Sequence, residues 1–335
     1  MLNTQVCLKS RPTGIPGAEH FEIRQSPVQP LQDGQILVRN DFLSVEPAMR
    51  GWVSAVANYS VPVGIGEVMR SFAAGEVIAS KHERFSIGDK VMGMLGWQEY
   101  AVAGSGAITR KVAETDLPLS LSLGVLGING VTAYFGLLET GRPRPGDTVL
   151  VSTAAGAVGS AVGQIAKIAG CRTVGIAGGA AKTRLCVEAF GCDAAADYKA
   201  PDFEAALSEG CGSGVNVYFD NTAGRISDAV LQRLAVGARV VICGTASIAS
   251  WDPPPLGPRV ERHMLVKRAQ MTGFLVFDFQ HRYEEAIGRL AGWVRGGLLR
   301  YREDIQEGIE ACPGAIAALY RGDNLGKSLI RLRHA

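Results

Sequence analysis

The chain has 335 residues, 47% of them hydrophobic and 20% charged, which is enough for about two domains that each bury a core. A formal net charge of +2 argues against a nucleic-acid groove or a polybasic membrane surface, and no apolar stretch is long enough to span a bilayer. Residues 1–11 lack the apolar run of a signal peptide, so we expect a cytoplasmic protein whose seven cysteines are reduced thiols.

Short strand-like segments dominate the first third of the chain. Apolar residues cluster at 35–39, 75–80 and 90–94, and turns rich in Gly, Pro and Asp, such as Ile87-Gly-Asp-Lys90, separate these segments. This pattern predicts an irregular antiparallel β domain that forms a partly open barrel.

The rhythm changes near Leu121, where strand-like and helix-like segments begin to alternate. The pattern predicts strands at 148–152, 173–176, 215–219, 239–243 and 271–276, and helices at 158–169 and 227–235. A further helix is indicated by apolar residues at steps of three and four, namely Tyr283, Ile287, Leu290, Val294 and Leu298. The fold class is therefore α/β, with a doubly wound parallel sheet that carries helices on both faces.

Short strands return after Leu299 and end in a strand at 327–332, which predicts that the tail rejoins the first domain. We expect residues 1–122, completed by 300–335, to form the β domain and residues 123–299 to form the domain with the parallel sheet.

The strongest chemical signal is a glycine-containing turn between the strand at 148–152 and the next helix. Its sequence, Ala154-Ala-Gly-Ala-Val-Gly159, is a dinucleotide-binding turn with Ala at the first Gly position. Gly156 would let the backbone approach a pyrophosphate, and Gly159 would let helix and strand pack closely. The helix N-terminus would offer N–H groups and a positive dipole to the phosphates.

The residues after the second strand of this domain distinguish NAD from NADP. An NAD enzyme usually has Asp or Glu there to hold the ribose hydroxyls, but the segment 176–182 contains no acid and ends in Lys182. A lysine attracts the 2′-phosphate that a carboxylate would repel, so the charge pattern favours NADPH. The alternative is that Lys182 is only a solvated surface charge.

No other cofactor or catalytic signature is present. The five histidines are isolated and there is no Cys-x-x-Cys pair, so the spacing does not predict a metal site. There is also no Gly-x-Ser-x-Gly elbow and no P-loop lysine motif.

The sequence resembles the zinc-free branch of the medium-chain dehydrogenase/reductase superfamily that includes prostaglandin reductase, leukotriene B4 12-hydroxydehydrogenase and bacterial curcumin reductase. The resemblance extends over nearly the whole chain. It is carried by Pro47-Ala-Met-Arg-Gly51, Gly127-Ile-Asn-Gly-Val-Thr-Ala-Tyr-Phe-Gly136, Ala154-Ala-Gly-Ala-Val-Gly-Ser160, Val217-Tyr-Phe-Asp-Asn221, Gly273-Phe-Leu-Val276 and Gly322-Asp-Asn-Leu-Gly-Lys327.

The resemblance implies a GroES-like catalytic domain, split in sequence, around a Rossmann domain that binds NADPH, and it suggests a homodimer formed through Rossmann strands. The cofactor-binding residues that it implies are Asn129, Thr132, Gly156, Ala157, Val158, Gly159, Ser160, Gly178, Lys182, Tyr198, Asn221, Cys243, Gly244, Thr245, Phe274, Leu275, Val276 and Asn324. Among these, Lys182 and Tyr198 would meet the 2′-phosphate, in agreement with the charge pattern. Phe274 to Val276 would hold the nicotinamide amide through backbone groups, although the pattern also fits an ordinary buried strand.

The chemistry that the resemblance implies is reduction of a carbon–carbon double bond conjugated to a ketone or aldehyde, with hydride delivered to the β carbon. The enolate oxygen then needs a hydrogen-bond donor, and Tyr59 matches the tyrosine in that role. A second family tyrosine is missing, because Ala249 stands near its position. Met94, Trp97 and Trp251 would line the substrate, although Trp97 also fits the domain core. Two other functions stay open: an NADPH:quinone oxidoreductase and a non-catalytic NADPH-binding sensor.

Overall fold

The computed structural model describes residues 1–55, 60–248, 253 and 255–334. The strands are β1 Leu2–Leu8, β2 Phe21–Pro27, β3 Gln35–Ser44, β4 Ala73–Ser80, β5 Lys90–Gly93, β6 Tyr100–Gly104, β7 Ile108–Lys111, β8 Thr148–Ser152, β9 Arg172–Ala177, β10 Ala194–Asp197, β11 Val215–Asp220, β12 Leu234–Ile242, β13 Gln270–Gly273, β14 Glu303–Glu307 and β15 Lys327–Arg331. The α-helices are α1 Met49–Trp52, α2 Ile128–Phe135, α3 Ala157–Ile168, α4 Ala180–Glu188, α5 Phe203–Cys211, α6 Gly224–Leu231, α7 Glu261–Lys267, α8 Tyr283–Arg295 and α9 Cys312–Arg321.

The chain divides into two compact units. The first comprises Met1–Gly124 together with Glu303–Ala335, and the second comprises Val125–Arg302. The second unit contains a parallel sheet in the order β10-β9-β8-β11-β12-β13. This order corresponds to the 3-2-1-4-5-6 arrangement of a Rossmann fold, with the winding direction reversing between β8 and β11. Right-handed connections on either side of that reversal place the helices on opposite faces, which confirms the predicted doubly wound α/β fold.

The parallel sheet is held by apolar side chains that its central strands bury. β8 is buried at every position, and the core beneath it includes Leu150, Val174, Tyr218 and Val240, none more than 1% exposed. A strand covered by helices on both faces reads as a continuous apolar run, which is why 148–152 could be recognised in the sequence. This central strand leads directly into the phosphate-binding turn.

The first unit contains a mixed sheet with the path β14-β15-β3-β4-β5-β7, with β6 also pairing to β3, and a separate hairpin of β1 and β2. The tail strand β15 pairs antiparallel with β3 through Leu329 and Ser44, so the end of the chain belongs to the first unit. Lys327 lies buried at the start of β15, and its Nζ donates to Ser44 Oγ at 2.6 Å and to Glu46 Oε1 at 2.8 Å. A buried ammonium needs such partners, so this cluster fixes the tail to the end of β3.

Three predicted segments extend well past the ends of the elements that the structure shows. The helix predicted at 227–235 is α6, which stops at Leu231 because the following residues form a turn and Leu234 already pairs with Val215 in the sheet. The helix predicted to reach Leu298 stops at Arg295, since Gly297 adopts a φ of +70° and leaves Leu298 exposed.

The strand predicted at 271–276 is also shorter than expected. It is β13, which ends at Gly273, and its four residues are exposed at the edge of the sheet. Phe274 and Leu275 therefore lie beyond the strand, and Val276 begins a 3₁₀ helix. These three residues do not form an ordinary buried strand.

Candidate functional site

The predicted cofactor-binding residues of the second unit lie mostly in the segments that follow the carboxyl ends of the parallel strands. In a doubly wound sheet the ligand crevice lies at these ends, where the strand order reverses. The segments are 156–160 after β8, 178–182 after β9, Tyr198 after β10, Asn221 after β11, 243–245 after β12 and 274–276 after β13. The sheet thereby places residues that are far apart in sequence side by side at the carboxyl ends of its strands.

The turn after β8 is shaped by its glycines. A Cβ atom added to Gly159 would lie closer to the Thr153 carbonyl oxygen than van der Waals contact allows, and a Cβ at Gly156 would lie 3.1 Å from the same oxygen. Thr153 itself has a φ of +54°, so the chain bends sharply here. Gly156 is the N-cap of α3 and no side chain caps this helix, so its first N–H groups are available to a phosphate. Ala157 and Val158 form the first turn of α3, and Ser160 N–H donates to Gly156 O at 3.0 Å.

The ends of β9 and β10 bring together the residues expected to meet the 2′-phosphate. The phenol side chain of Tyr198 covers Gly178, since a Cβ atom there would lie 2.8 Å from two ring carbons and from the hydroxyl oxygen of Tyr198. Lys182 lies in the first turn of α4, and its backbone N–H donates to Gly179 O at 3.0 Å. Tyr198 keeps 42% of its surface exposed, which leaves a face open to a ligand.

Asn221 is held rigidly at the end of β11. Its backbone N–H donates to Ser152 Oγ and its Nδ2 donates to Ser152 O, both at 2.8 Å. The buried Asp220 carboxylate next to it accepts the backbone N–H groups of Thr222 and Ala223 at 2.8 and 2.9 Å. A network that satisfies its buried groups fixes one conformation, so Asn221 is presented on a preorganised turn.

The Cys243-Gly-Thr245 turn is tied to the same strand end. The N–H groups of Cys243 and Gly244 both donate to Asp220 O, at 2.8 and 3.1 Å. Burial, with a smaller contribution from the Asp220 carboxylate, raises the pKa of the Cys243 thiol to about 12. The raised pKa favours the neutral thiol over the nucleophilic thiolate.

The segment after β13 and the helix α2 supply the remaining residues predicted in this unit. The Phe274 ring contacts the edge of Phe219 at 6.3 Å between centroids and packs on Gly136, while Leu275 is 40% exposed. In α2, Asn129 is buried and Thr132 Oγ1 donates to Ile128 O at 2.6 Å. Their contacts with a cofactor remain predictions.

The site residues predicted in the first unit differ in burial and in hydrogen bonding. Asn324 Nδ2 donates to Gly326 O at 2.7 Å within its own turn, and Met94 is half-buried. The position of Trp97 does not fit the expected substrate wall. Its ring is completely buried, packs on Phe21, and donates through Nε1 to Ser44 O at 3.1 Å. A ring without exposed surface belongs to the core and not to a substrate wall. Tyr59, Trp251 and Ala249 lie outside the described residues.

The sequence analysis missed one acidic side chain near the predicted 2′-phosphate site. Asp197 ends β10 and pairs with Ala177, the last residue of β9, so it reaches the loop after β9 from the neighbouring strand. Parallel strand register is the signal that would have found it, because a search along β9 alone cannot see the adjacent strand.

The part of the chain that the structure describes contains neither a metal-ligating cluster nor a membrane-spanning helix. Among those residues, no three His, Cys, Asp or Glu side chains are grouped closely enough to hold a metal ion. None of the helices in the described ranges combines the length and hydropathy needed to cross a bilayer.

Two family models match the chain. Residues 4–112 match the N-terminal domain of oxidoreductases, and residues 157–292 match the family described as zinc-binding dehydrogenase. The described residues do not group the three or more ligands that a zinc ion needs.

Characterised relatives and solved structures resemble the chain over almost its whole length. The NADPH-dependent curcumin reductase of Escherichia coli is 40% identical over 335 residues, covering 98% of this chain and 97% of the relative. The NADP⁺-dependent 2-alkenal reductase of Nicotiana tabacum is 35% identical, again covering 98% and 97%. The crystal structure of CurA from Vibrio vulnificus in complex with NADPH superposes with a TM-score of 0.92 at 40% identity, covering 99% of this chain and 100% of that one.

Proposed function

The chain belongs to the curcumin, prostaglandin and alkenal reductase branch of the medium-chain dehydrogenase/reductase superfamily, and on that premise we propose that it is an NADPH-dependent reductase of α,β-unsaturated ketones and aldehydes. The bond reduced is the conjugated carbon–carbon double bond. The observation that carries this proposal is the glycine turn Gly156–Gly159 at the end of β8. It lies at the carboxyl ends of the same parallel sheet as Lys182 and Tyr198. The second unit is then the cofactor-binding domain and the first unit is the catalytic domain.

The residues at the carboxyl ends of the parallel strands have the properties that NADPH binding requires. The absence of a Cβ atom at Gly156 and Gly159 lets a pyrophosphate approach the backbone, and the uncapped N-terminus of α3 supplies N–H donors. Lys182 carries the positive charge that a 2′-phosphate requires, and the exposed Tyr198 ring offers a surface for the adenosine end. Asn221 and the 243–245 turn would line the path of the cofactor, and residues 274–276 would hold the nicotinamide amide.

NADPH, when bound, supplies the hydride that adds to the β carbon of the substrate. The work of the chain is to stabilise the negative charge that then develops on the carbonyl oxygen, which is the electrostatic task of a donor placed in a dry site. We assign that donor to the Tyr59 hydroxyl, which also has a proton to give. Met94 and Trp251 are proposed to border the substrate.

The alternative acceptors can be distinguished by one experiment. Purified protein is mixed with NADPH and, separately, with an enone, an enal, a quinone and a saturated aldehyde, and the products are identified. Formation of a saturated ketone from the enone and of a saturated aldehyde from the enal supports the proposal. Hydroquinone as the main product indicates a quinone reductase, and NADPH binding without turnover on any acceptor indicates a sensor.

We further propose a cytoplasmic homodimer. β13 forms one edge of the parallel sheet with all four of its residues exposed, and Met271 there is 41% exposed. An exposed, open strand edge of this kind pairs readily with a second copy of itself. Seven free cysteines agree with a reducing compartment. A Met271→Asp variant, which places two carboxylates at the proposed interface, should elute as a monomer.

A further inference from the structure

A single carboxylate oxygen joins the two loops that form the proposed 2′-phosphate site. Asp197 Oδ1 accepts the backbone N–H of Gly179 at 2.8 Å and the backbone N–H of Lys199 at 2.9 Å. Gly179 belongs to the loop after β9, and Lys199 belongs to the loop after β10. The carboxylate therefore bridges two segments that are 20 residues apart in sequence.

Each of these loops adjoins a residue that is proposed to meet the adenosine end of the cofactor. Gly179 is the N-cap of α4, with a φ of +93°, and its carbonyl oxygen accepts the N–H of Lys182 at 3.0 Å. On the other side, Lys199 follows Tyr198, and its Nζ lies 5.9 Å from the centre of the Tyr198 ring. Fixing Gly179 and Lys199 to one oxygen thus fixes the start of α4 relative to the tyrosine ring.

Asp197 places a negative charge near the proposed 2′-phosphate site. A negative charge close to a bound 2′-phosphate weakens binding of that phosphate, so an acid here has an electrostatic cost. Two backbone N–H donors on one oxygen offset part of this cost and give the side chain a structural task. The task needs an acceptor oxygen, whereas it does not need the charge.

From this geometry, and resting on the NADPH-dependence proposed above, we infer that Asp197 is a positioning residue that sets the preference for NADPH over NADH. It acts through the placement of Lys182 and Tyr198 and does not itself contact the phosphate. The preference is measured as the ratio of the Kd for NADH to the Kd for NADPH.

Two variants separate the two properties of the side chain. Asp197→Ala removes the shared acceptor, so the NADH-to-NADPH Kd ratio should fall by about tenfold, mainly through weaker NADPH binding. Asp197→Asn keeps an Oδ1 acceptor and removes the charge, so the ratio should equal or exceed that of the unchanged protein. Rescue by Asn is a result that loss of folding stability alone cannot produce.

Asp193→Ala is the matched control. Asp193 precedes β10, at the opposite end of that strand from Asp197, where its Oδ2 accepts Thr173 N–H at 2.7 Å and its Oδ1 accepts Lys167 Nζ at 2.7 Å. Its loss should alter stability without changing the ratio. Kd values are measured by calorimetry on the full chain.

The outcomes separate this inference from the proposed function. If the unchanged protein shows no preference for NADPH, the proposed function fails and the inference fails with it. If the unchanged protein prefers NADPH and Asp197→Ala retains the full ratio, only the inference is overturned. A fall in the ratio that is equal in the Ala and Asn variants also overturns it, because the charge and not the bridge would then be responsible.

Discussion

The side chain of Tyr198 lies directly over Gly178, with two ring carbons and the hydroxyl oxygen 2.8 Å from the position that a Cβ atom of Gly178 would occupy. This contact joins the loops after β9 and β10, and Lys182 lies in the first turn of α4, the helix that follows Gly178. A flat aromatic surface offers a stacking face to an adenosine, and a lysine in the first turn of α4 offers a positive charge to its phosphate. The proposed cofactor preference depends on this corner of the sheet.

Lys182→Ala should weaken NADPH binding much more than NADH binding. A charged hydrogen bond contributes about 1.5–3 kcal/mol, which corresponds to a rise of roughly 10- to 150-fold in the Kd for NADPH. Calorimetric titration with both dinucleotides measures the difference. Lys167→Ala, which removes a lysine at the other end of the Rossmann helix α3, should leave both affinities unchanged. Equal losses for NADPH and NADH in the Lys182 variant would mean that the phosphate is bound elsewhere.

Gly159→Ala should destabilise the protein and weaken NADPH binding. The added methyl group would collide with the backbone carbonyl of Thr153, which cannot move aside as a flexible side chain can. Overpacking of this kind costs about 1–3 kcal/mol, and we expect a value near the upper end. Thermal unfolding with and without NADPH measures both effects.

Gly163→Ala is the control for that substitution, since it lies in the same helix and its Cβ would meet only Cys192 Sγ, at 3.4 Å. Ala is favoured over Gly inside a helix by about 1 kcal/mol, so this variant should be neutral or more stable. Equal stabilities of the two variants would show that the turn tolerates a side chain.

Tyr59→Phe should lower kcat by about 100-fold and leave the Kd for NADPH unchanged. The variant removes only the hydroxyl that we assign to the developing enolate oxygen, and donors in this role contribute two to three powers of ten, roughly. Steady-state kinetics with an enone measure the change. Tyr301→Phe, at an exposed tyrosine of the second unit, is the comparison and should retain full activity. An unaltered kcat would remove Tyr59 from the mechanism.

Glu303→Gln should raise the melting temperature at neutral pH. Burial raises the pKa of this carboxyl, and its Oε1 has no hydrogen-bond partner among the described residues, although Ser120 Oγ donates to Oε2 at 2.9 Å. The folded state therefore favours the protonated form, and stability is lost as pH rises from the ordinary pKa through the raised one. The gain from Gln should be about 2 °C at pH 7 and should vanish near pH 4.5, roughly.

Glu307→Gln is the control for Glu303→Gln, because the pKa of Glu307 is shifted in the opposite direction. Hydrogen bonding to Arg331 lowers the pKa of Glu307, so the folded state favours its charged form. This variant should be no more stable than the unchanged protein at pH 7. If Glu303→Gln lowered the melting temperature at neutral pH, the charged form of Glu303 would be the one that the fold prefers.

Much of the second unit could be predicted from local pattern. The strand at 148–152 was predicted with the bounds that β8 has, and α3 was predicted within one residue at each end, because a continuous apolar run and a glycine turn are strong local signals. The contact that ended α6 early, between Leu234 and Val215, joins residues distant in sequence and has no local signature. Tertiary pairing there overrides helical periodicity.

The candidate site was predictable to the same extent. Motif position singled out Gly159 and Lys182 as candidates, since the chemistry of a phosphate turn acts through residues close together in sequence. The bridging role of Asp197 depends on the register of two parallel strands, and the burial of Trp97 depends on the packing of Phe21 and Ser44 against it. Both are properties of the assembled sheets.

The most direct test of the account is the position of the transferred hydrogen. The protein is incubated with an enone and NADPH that carries deuterium at the transferable position, and the product is analysed by NMR. The account predicts a saturated ketone with one deuterium on the carbon β to the carbonyl. An allylic alcohol with deuterium on the former carbonyl carbon, or a saturated ketone without deuterium at the β carbon, would contradict it.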